Sequence, residues 1–521
     1  MSSYKKNAYI YSTIVAMGGF VFGLDAALIS GTTSYITKEF SLSTMQLGLV
    51  VSAPAWGVLL ALLFAGYACN KYGRRKTLHA VAAMYVISAI GSTFSPNYIA
   101  LLTFRFLGGL AFTSISLAAM YIGEIAPPKL RGKLVTMIQI NIVVGLSGAY
   151  FINYLILQLG ASNASWVTEY GLNTQTWRWM LGSEILPALA WFILLFFVPR
   201  SPAWLFYNGK ENDAKQTLLK LLPKDKVDTH LVEMKESLEN STDNRSLLSQ
   251  LGDIFSKPMR ITFIIAFSIA IAQQTTGINA ILFYAPTVFE QVGMGTNAAF
   301  MQAIWIGLTG LVFTVLGLVL VDKLGRKPMI VGGMLWVVIS LGIAYFGFKT
   351  ATYTLSKDAI NELTEIEHVN RLNSIVNIEY GSDIEFKKAL IESLGEEGAR
   401  NHSSLLIQKS ADINAVLILI GILSFIAAFH FSVGPVMWVL FSEIFPISIR
   451  GIAIPFFTLI TSLTSSLVQF FFPTQLETFG ISNTLLFYAV TVFIGMVIQY
   501  RYLIETKGLS IEEIQLKLQK K

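Results

Sequence analysis

Long apolar runs, each close to the length that a helix needs to cross a lipid bilayer, recur along the whole chain. A helix spans the hydrocarbon core with about 20 residues, and we count twelve such runs. Of the 521 residues, 54% are hydrophobic and only 13% are charged, which is too apolar for an ordinary water-soluble protein. The sequence therefore predicts an all-α membrane protein with twelve transmembrane helices.

The twelve predicted spans fall into two groups of six. The first six are residues 8–33, 44–68, 77–95, 98–121, 134–158 and 178–198. The last six are residues 260–289, 298–321, 328–348, 413–442, 452–473 and 481–503. We therefore divide the chain into an N-terminal six-helix bundle (1–198), a polar, helix-prone linker (199–259) and a C-terminal six-helix bundle (260–521).

Basic residues crowd alternate loops. They are Lys71, Arg74, Arg75 and Lys76; Lys129, Arg131 and Lys133; Lys323, Arg326 and Lys327; and Arg450 with the tail that ends at Lys521. The positive-inside rule places these loops, the linker and both termini in the cytoplasm. We expect a multi-pass protein of the cell inner membrane with a short cytoplasmic tail, residues 504–521. The formal net charge of +6 reflects these loops and gives no sign of a nucleic-acid surface.

A polar insertion, residues 350–414, separates spans nine and ten and lies on the outer side by the same rule. It holds eleven acidic and six basic residues. Its apolar residues show helical spacing at Ile360, Leu363, Ile366 and Val369. The sequence therefore predicts a small helical cap outside the membrane.

The two halves of the chain repeat each other. Each half has a basic loop after one of its spans, beginning at Gly73 and Gly325. Each half also has a glutamate seven residues before an arginine, at Glu124 and Glu443. Internal repeats of this kind are found in transporters, where they relate the two halves that move against each other.

Span seven carries three amides, which are costly in hydrocarbon unless they find partners. Gln273 and Gln274 are adjacent, and Asn279 follows within two helical turns. Gly277 permits local unwinding between them. A row of amides with Tyr284 nearby suits a neutral, hydroxyl-rich ligand. The alternative is that the amides bind neighbouring helices, as polar residues often do inside membranes.

Three ionisable residues, Asp25, Arg105 and Glu184, lie well inside the predicted spans. Counted from the outer ends of spans one, four and six, they are at similar depth and could meet. A neighbouring cation favours the charged form of a carboxyl group, whereas desolvation favours the neutral form. A movement that separates the pair could therefore make Asp25 take up a proton. The alternative is an ion pair that only fixes helices.

The sequence has no zinc-ligand spacing, no Walker loop and no nucleophile elbow, and its single cysteine, Cys69, excludes an intrachain disulfide. We therefore expect neither an enzyme nor a protein with a metal or a cofactor. The expected partners are a small-molecule solute, protons and the lipid bilayer, with a monomer as the functional unit.

Several short motifs are specific in combination. They are the basic loops at Gly73 and Gly325, the Glu-x-x-Pro-x-x-x-Arg-Gly elements at Glu124 and Glu443, the Gln273-Gln274-x-x-Gly277-Ile278-Asn279 run, and Gly434-Pro435-Val436-Met437-Trp438. Apart from the insertion, the chain resembles the sugar porter family of the major facilitator superfamily throughout, and within it the bacterial xylose–proton symporters most. The resemblance implies two six-helix bundles that rock about a central sugar site.

The resemblance assigns roles to individual residues. Asp25, Arg105 and Glu184 match an aspartate, an arginine and a glutamate of the xylose–proton symporters. The passive glucose carriers lack these acids, which favours proton coupling here. The implied sugar-binding residues are Gln139, Gln273, Gln274, Asn279, Tyr284 and Trp438, with Phe22 and Phe283 lining the wall. An aromatic face would stack on the sugar ring while the amides pair with its hydroxyls.

A second set of charged residues is implied to form a cytoplasmic gate. Its members are Arg74, Glu124, Arg131, Arg326, Glu443 and Arg450. Charge pairs among them could latch the outward-open state, or the cations could serve only to set the topology. Asn70 replaces the aspartate usual in the first loop, and Arg200 and Ala203 replace the usual glutamate and arginine after span six. These changes suggest a weakened or rewired latch.

Departures from the family pattern at the sugar site limit the substrate prediction. Gly310 stands where an asparagine is usual, and Thr461 and Ser462 stand where an amide and a tryptophan are usual, so the pocket loses donors and bulk. We expect His430 to bond with a neighbour. The leading hypothesis is a proton-driven importer of a monosaccharide, pentose or hexose. The alternatives are a facilitative sugar uniporter of the same fold and a membrane sugar receptor that does not transport.

Overall fold

The computed structural model describes residues 3–127, 130–240, 247–363 and 369–519. Within these residues, eleven helices are long and apolar enough to cross a membrane. The helix Arg74–Thr93 lies at the predicted third span, but its first turn is basic and its mean hydropathy is correspondingly low. With this helix, all twelve predicted spans are accounted for, and the fold is that of an all-α membrane transporter.

The first six spans are mostly single long helices. They are Ser3–Leu28, Thr44–Tyr72, Arg74–Thr93, Tyr98–Ala111 with Ser114–Ile125, Arg131–Gly160, and Thr176–Gly182 with Ile185–Leu194. Shorter elements join or extend them, namely the 3₁₀ turns Ile29–Gly31 and Leu195–Phe197 and the helices Thr33–Phe40 and Ser165–Glu169. The helices exceed the predicted apolar runs because helices continue beyond the hydrocarbon core into the polar loops.

The last six spans include two broken helices. The spans are Arg260–Gln274 with Ile278–Phe283 and Ala285–Glu290, Thr296–Leu324, Arg326–Lys349, Ala415–Phe431 with Val433–Ile444, Ile447–Thr478, and Gly480–Tyr502. The expected unwinding at Gly277 is confirmed, since the helix stops at Gln274 and resumes at Ile278. Gly277 itself adopts the left-handed conformation, with φ at 77°, which costs glycine little.

The chain forms two compact units. The first contains residues 1–26, 53–149 and 178–252, and the second contains residues 27–52, 150–177 and 253–521. The ends of spans one, two and five that lie opposite the basic loops, which we call their outer ends, therefore belong to the second unit. The domain boundaries that we place at residues 198 and 260 follow the sequence repeat and remain a prediction.

Short helices make up the linker and the tail. The linker contains Pro202–Tyr207, Glu211–Leu221, Lys224–Asn240 and Leu247–Ile254, followed by the 3₁₀ turn Lys257–Met259, and the tail contains Ile511–Gln519. Ser201 caps the first linker helix by accepting a hydrogen bond from the Trp204 amide at 3.1 Å. The helix-prone character that the sequence predicts for the linker is confirmed.

The insertion between spans nine and ten is a mostly helical cap, as the sequence predicts, with a small sheet that the sequence analysis did not predict. Its strands Thr352–Thr354, Glu379–Tyr380 and Ala411–Asp412 form an antiparallel sheet with the first strand in the centre. Its helices are Lys357–Glu362, the 3₁₀ helix Val369–Ile375 and Asp383–Ser410. Of the four positions with helical spacing, Ile360 is helical, and Ile366 lies outside the described residues. The strands are only two or three residues long, too short for an alternating pattern to stand out.

Candidate functional site

The first unit holds a buried cluster of charges. Arg105, on span four, donates to Asp25 Oδ1 of span one, and both side chains are nearly inaccessible, with residue exposures of 2% and 3%. Glu184 lies at the break in span six, is 4% exposed, and interacts electrostatically with both residues. The three residues that the sequence singles out inside the spans therefore meet. Two ionised carboxylates and one guanidinium would leave a net negative charge in a region of low dielectric. The charges of the cluster therefore balance only if one carboxyl holds a proton.

Close packing of spans one and five fixes Asp25 on its helix. A side chain at Gly23 would collide with the carbonyl of Ile142, and one at Gly145 would collide with the carbonyl of Phe20. Small residues at such positions let helices approach until their backbones touch. The first unit therefore presents Asp25 from a helix that is locked against span five, which also carries the half-buried Gln139.

Phe22 lies one turn before Asp25 and packs edge-on against Phe112, with ring centroids 4.5 Å apart. It is partly buried, like Gln139. These are the two sugar-site candidates that belong to the first unit. Their role stays a prediction.

The second unit brings the predicted amides of span seven into one hydrogen-bonded row. Gln274 Nε2 donates to Gln273 Oε1, and Asn279 Nδ2 donates to Gln274 Oε1, each at 2.9 Å. Gln273 Nε2 in turn reaches the carbonyl of Gly434, just beyond the break in span ten, at 3.3 Å. The amide row thus links the two broken helices of this unit.

Span eleven completes the row with two residues that the sequence analysis missed. Asn279 Nδ2 donates to Ser465 Oγ at 2.8 Å, and Gln469 Nε2 donates to the same oxygen at 2.8 Å. The hydroxyl of Tyr284 donates to the Gln469 carbonyl at 3.4 Å. Ser465 and Gln469 are one helical turn apart, a spacing that would have marked a polar face on this span.

The unwound backbone in span seven is satisfied by neighbouring hydroxyls. Thr276 Oγ1 donates to the Gln273 carbonyl at 2.7 Å and accepts from the Ile278 amide at 3.2 Å. Thr491 Oγ1, from span twelve, donates to the Thr275 carbonyl at 3.1 Å. Irregular backbone at membrane depth requires such hydrogen-bond partners. The break in span seven is therefore stabilised by its neighbours and holds the amides in place.

The aromatic candidates of the second unit differ in exposure. Tyr284 and Phe283 are buried, whereas the Trp438 side chain is 42% exposed and contacts Phe441 edge-on. A large, exposed aromatic ring inside a transmembrane helix is available for stacking. Tyr284 instead packs on Phe472, 5.1 Å away between ring centroids, which assigns it to the wall of the unit.

His430 bonds with a neighbour, as expected. Its Nδ1 lies 3.0 Å from Thr314 Oγ1 of span eight. The opposite edge of the ring faces Gly310, where a Cβ atom would lie 3.2 Å from Nε2. The imidazole thus leaves no room for a longer side chain at position 310, which gives a physical reason for the glycine.

Four of the six gate candidates form ion pairs, Arg74 with Glu124 in the first unit and Arg326 with Glu443 in the second. In the second unit, Arg326 binds Glu443 through both its Nε and its Nη2, with the shortest distance 2.7 Å, and contacts Asp322 at 3.0 Å. Thr506 donates to Glu443 at 2.6 Å. Glu505 accepts from the backbone amides that begin span nine, a favourable place for a carboxylate.

The network of the first unit has fewer charged contacts. Arg74 Nε donates to Glu124 at 2.9 Å, and its Nη1 donates to two neutral acceptors, the Cys69 carbonyl at 3.2 Å and Asn70 Oδ1 at 3.4 Å. Ser201 of the linker also donates to Glu124. Asn70 stands where Asp322 stands in the second unit, and the weakened or rewired latch stays a prediction.

The arginines that follow the two glutamates do not pair with them. Arg450 donates to the Phe445 carbonyl at 3.0 Å, and Arg131 is exposed at the start of span five. The partners of Glu124 and Glu443 are instead Arg74 and Arg326, from the basic loops. Each pair is partly buried, so it contributes more than a surface pair, whose typical value is about 0–1 kcal/mol.

A fold of broken transmembrane helices, with amides at one break and an acid–guanidinium cluster in the spans, defines a membrane transporter of the major facilitator type. Residues 11–362 and 401–518 match the model of the "Sugar (and other) transporter" family. The chain therefore belongs to this family. Its members are transporters and not enzymes.

Individual relatives agree with this assignment. The chain is similar to the D-xylose-proton symporter of Escherichia coli K12, with 31% identity covering 99% of this chain and 97% of the relative. It is 30% identical to the arabinose-proton symporter of Bacillus subtilis, over 97% and 94% of the two chains. Its fold matches the partially occluded, inward-open structure of the xylose transporter XylE from E. coli with a TM-score of 0.72 and 28% identity, over 98% and 100% of the chains.

Proposed function

We propose that the protein imports a monosaccharide, pentose or hexose, together with a proton, by alternating access. The observation that carries this proposal is the Asp25–Arg105–Glu184 cluster, which holds two acids and one guanidinium out of contact with water. Buried ionisable residues inside membrane helices mark ion or proton pathways. Relatives named as proton symporters of xylose, arabinose and galactose support the coupling.

The amide row supports a sugar as the cargo. Gln274 and Asn279 are half-buried and offer both amide donors and carbonyl acceptors, and the same unit holds the exposed Trp438. Their bonds to one another and to Ser465 keep them satisfied without ligand, and sugar hydroxyls can replace these bonds without loss. We further propose that the transporter acts as a monomer in the cell inner membrane. The positive-inside rule supports a cytoplasmic position for both termini.

Uptake into proteoliposomes tests the proposal directly. We expect accumulation of labelled sugar above the external concentration only when the outside is more acidic, across a panel of pentoses, hexoses and inositol. Equal rates with and without the pH gradient, ending at equal concentrations, would support the facilitative uniporter instead. Binding without any uptake would support the receptor. A relative named as the glucose transporter GlcP of Staphylococcus epidermidis, 28% identical to this chain, supports the inclusion of hexoses in this panel.

Removing single amides tests the sugar site. Gln274→Ala and Asn279→Ala each delete hydrogen bonds to the ligand and also leave a buried neighbour without its partner. We expect each variant to weaken sugar binding by about tenfold, which corresponds to about 1.4 kcal/mol and lies within the usual range for such losses. Isothermal titration or counterflow measures the effect.

The matched control for these amides is Gln216→Ala, an exposed glutamine in the linker helix Glu211–Leu221. It should bind sugar with wild-type affinity. If Gln274→Ala and Asn279→Ala also bind sugar as tightly as wild type, the amides serve only to join helices, and the sugar site lies elsewhere.

A further inference from the structure

The cap, residues 350–414, is a folded element that the family does not share in full. Residues 363–400 lie outside the match to the family model. The cap nevertheless has its own apolar core, which includes the fully buried Leu355, Leu372, Phe386 and Leu406. A segment with a core of its own holds its shape and can transmit force to what it contacts.

The cap is anchored to the outer end of span seven. The segment Asp383–Ser410 consists of two helices that meet at a kink at Gly395, where φ is 79°. Ser404, on the second of them, which we call the cap helix, donates to Glu290 Oε2 at 2.9 Å, and Lys387, on the first, donates to Gln291 Oε1 at 2.8 Å. Two glycines that follow also touch the cap closely. A Cβ at Gly293 would lie 3.2 Å from that of Ala411, and a Cβ at Gly295 would lie 2.9 Å from the Gln408 side chain.

The same cap helix reaches the segment between spans one and two. Arg400 Nη1 donates to the Leu42 carbonyl at 3.2 Å, where the helix Thr33–Phe40 has just ended. This segment also contacts span seven directly, since the hydroxyls of Thr33 and Thr287 lie 3.1 Å apart. The 3₁₀ turn Ile29–Gly31 packs against the last two helices of span seven. All these elements belong to the second unit.

We propose that the cap is a clamp that ties the outer end of span seven to the segment 29–42 and so holds the outer mouth of the transporter shut. This inference rests on the alternating access proposed above, because that cycle requires the two elements to separate when the outer side opens. Three polar contacts, Glu290–Ser404, Gln291–Lys387 and Leu42–Arg400, then set how readily it opens.

The buried carboxyl of Glu290 makes the clamp sensitive to the outer pH. Glu290 is 5% exposed, accepts from Ser404 and from Thr296 at 3.3 Å, and lies near Tyr35 of the helix Thr33–Phe40. Two cations of the segment Asp383–Ser410 bind other groups: Lys387 binds Asp383 and Gln291, and Arg400 binds the Leu42 carbonyl. Burial raises the pKa of the Glu290 carboxyl, while the two hydroxyls oppose the shift.

The sign of this pH dependence follows from the burial. In the shut state Glu290 is buried and binds a proton more readily than it would in an open, hydrated state, so protonation stabilises the shut state. This stabilisation of the shut state is present at acidic pH and is lost as the pH rises through the raised pKa of Glu290. Acid on the outside therefore favours a shut mouth.

Accessibility of a buried position on segment 29–42 measures the clamp without requiring transport. Cys69→Ser removes the only native cysteine, and Ser30→Cys places a thiol at a position that is 1% exposed in the 3₁₀ turn. In this background we expect Ser404→Ala, Lys387→Met and Arg400→Met, combined, to speed labelling by a membrane-impermeant maleimide about tenfold. Lys388→Met, at the exposed position next to Lys387, is the matched control and should leave the rate unchanged.

The labelling rate can also contradict the clamp proposal. Unchanged labelling in the combined variant, with sugar exchange retained, would overturn the proposal. Should the combined variant not reach the membrane, Arg400→Met alone, which deletes one surface contact, gives the same test with a smaller rise. Relative to the reaction of a free thiol at the same pH, labelling of Ser30→Cys should speed up as the outer pH rises, because the thiolate is the reactive form in both. Adding Glu290→Gln should remove this relative increase; a relative pH response that survives in Glu290→Gln would exclude Glu290 as the sensor. Because labelling needs no proton coupling, these results stand even if uptake proves independent of a pH gradient.

Discussion

Asp25→Asn is expected to abolish uphill sugar accumulation while leaving sugar exchange intact. With a pH gradient of about one unit, one coupled proton supplies about 1.4 kcal/mol, enough for about tenfold accumulation. Asparagine keeps the shape of the side chain and can still accept from Arg105, but it cannot take up a proton. Proteoliposomes loaded with the variant should therefore reach only the external sugar concentration, whereas counterflow should proceed at a rate similar to that of the wild type.

A control and a companion variant sharpen this test. Asp213→Asn removes an exposed carboxylate in the linker helix Glu211–Leu221, and it should preserve accumulation because no buried charge changes. Arg105→Met leaves two buried acids without their cation, which typically costs about 3–5 kcal/mol when one partner of a buried pair is lost. We therefore expect Arg105→Met to lose stability as well as coupling. Undiminished accumulation in Asp25→Asn would remove Asp25 from the coupling mechanism and leave the ion pair a structural role.

The charged cluster could be predicted because hydrocarbon makes buried charge conspicuous. Asp25, Arg105 and Glu184 stand out as the acids and the strong base that lie away from the ends of the predicted spans, and similar depth was enough to expect that they meet. Gly277 was predictable for a similar reason, since a glycine between amides marks a place where a membrane helix can unwind. In both cases one physical rule was enough for the prediction, because the residue type is unusual inside a membrane helix.

The partners of the amides could not be predicted with equal ease. Ser465 and Gln469 sit in span eleven among other serines and threonines that bond to their own helix, as Ser466 does to the Ser462 carbonyl. Which hydroxyl turns toward span seven depends on the rotation of the helix, and this is set by packing. The sequence gives the polar residues of the span but not the face on which they lie.

The partners of the gate residues could not be predicted from their spacing. The helix of Glu124 ends at Ile125, so Glu124 and Arg131 lie on different helices although they are close in sequence. The basic loop brings Arg74 to Glu124 from 50 positions earlier. Likewise Glu290 lies one residue past the predicted end of span seven, where an acid looks like an ordinary loop residue until the cap covers it.

Gly277→Ala is expected to damage the sugar site more than any other single-methyl change in span seven. Position 277 has a φ of 77°, and an added Cβ would collide with the ring of Tyr488. The left-handed backbone costs about 1–2 kcal/mol for a residue with a side chain, and overpacking of a core typically adds about 1–3 kcal/mol. Relief of this strain requires span seven to move away from span twelve, which displaces Gln274 and Asn279. Sugar affinity should fall by at least about tenfold, and the purified variant should unfold at a lower temperature.

Two further variants separate the backbone strain at position 277 from the steric collision with Tyr488. Gly332→Ala, at an exposed helical position in span nine with open space around it, should bind sugar normally and serves as the control. Adding Tyr488→Ala to Gly277→Ala removes the collision but keeps the left-handed backbone, so thermal stability relative to Tyr488→Ala alone should then fall by the backbone contribution only. Wild-type sugar affinity in Gly277→Ala would show that the helix break can shift without moving the amides. In that case the geometry of the break does not position the sugar ligands.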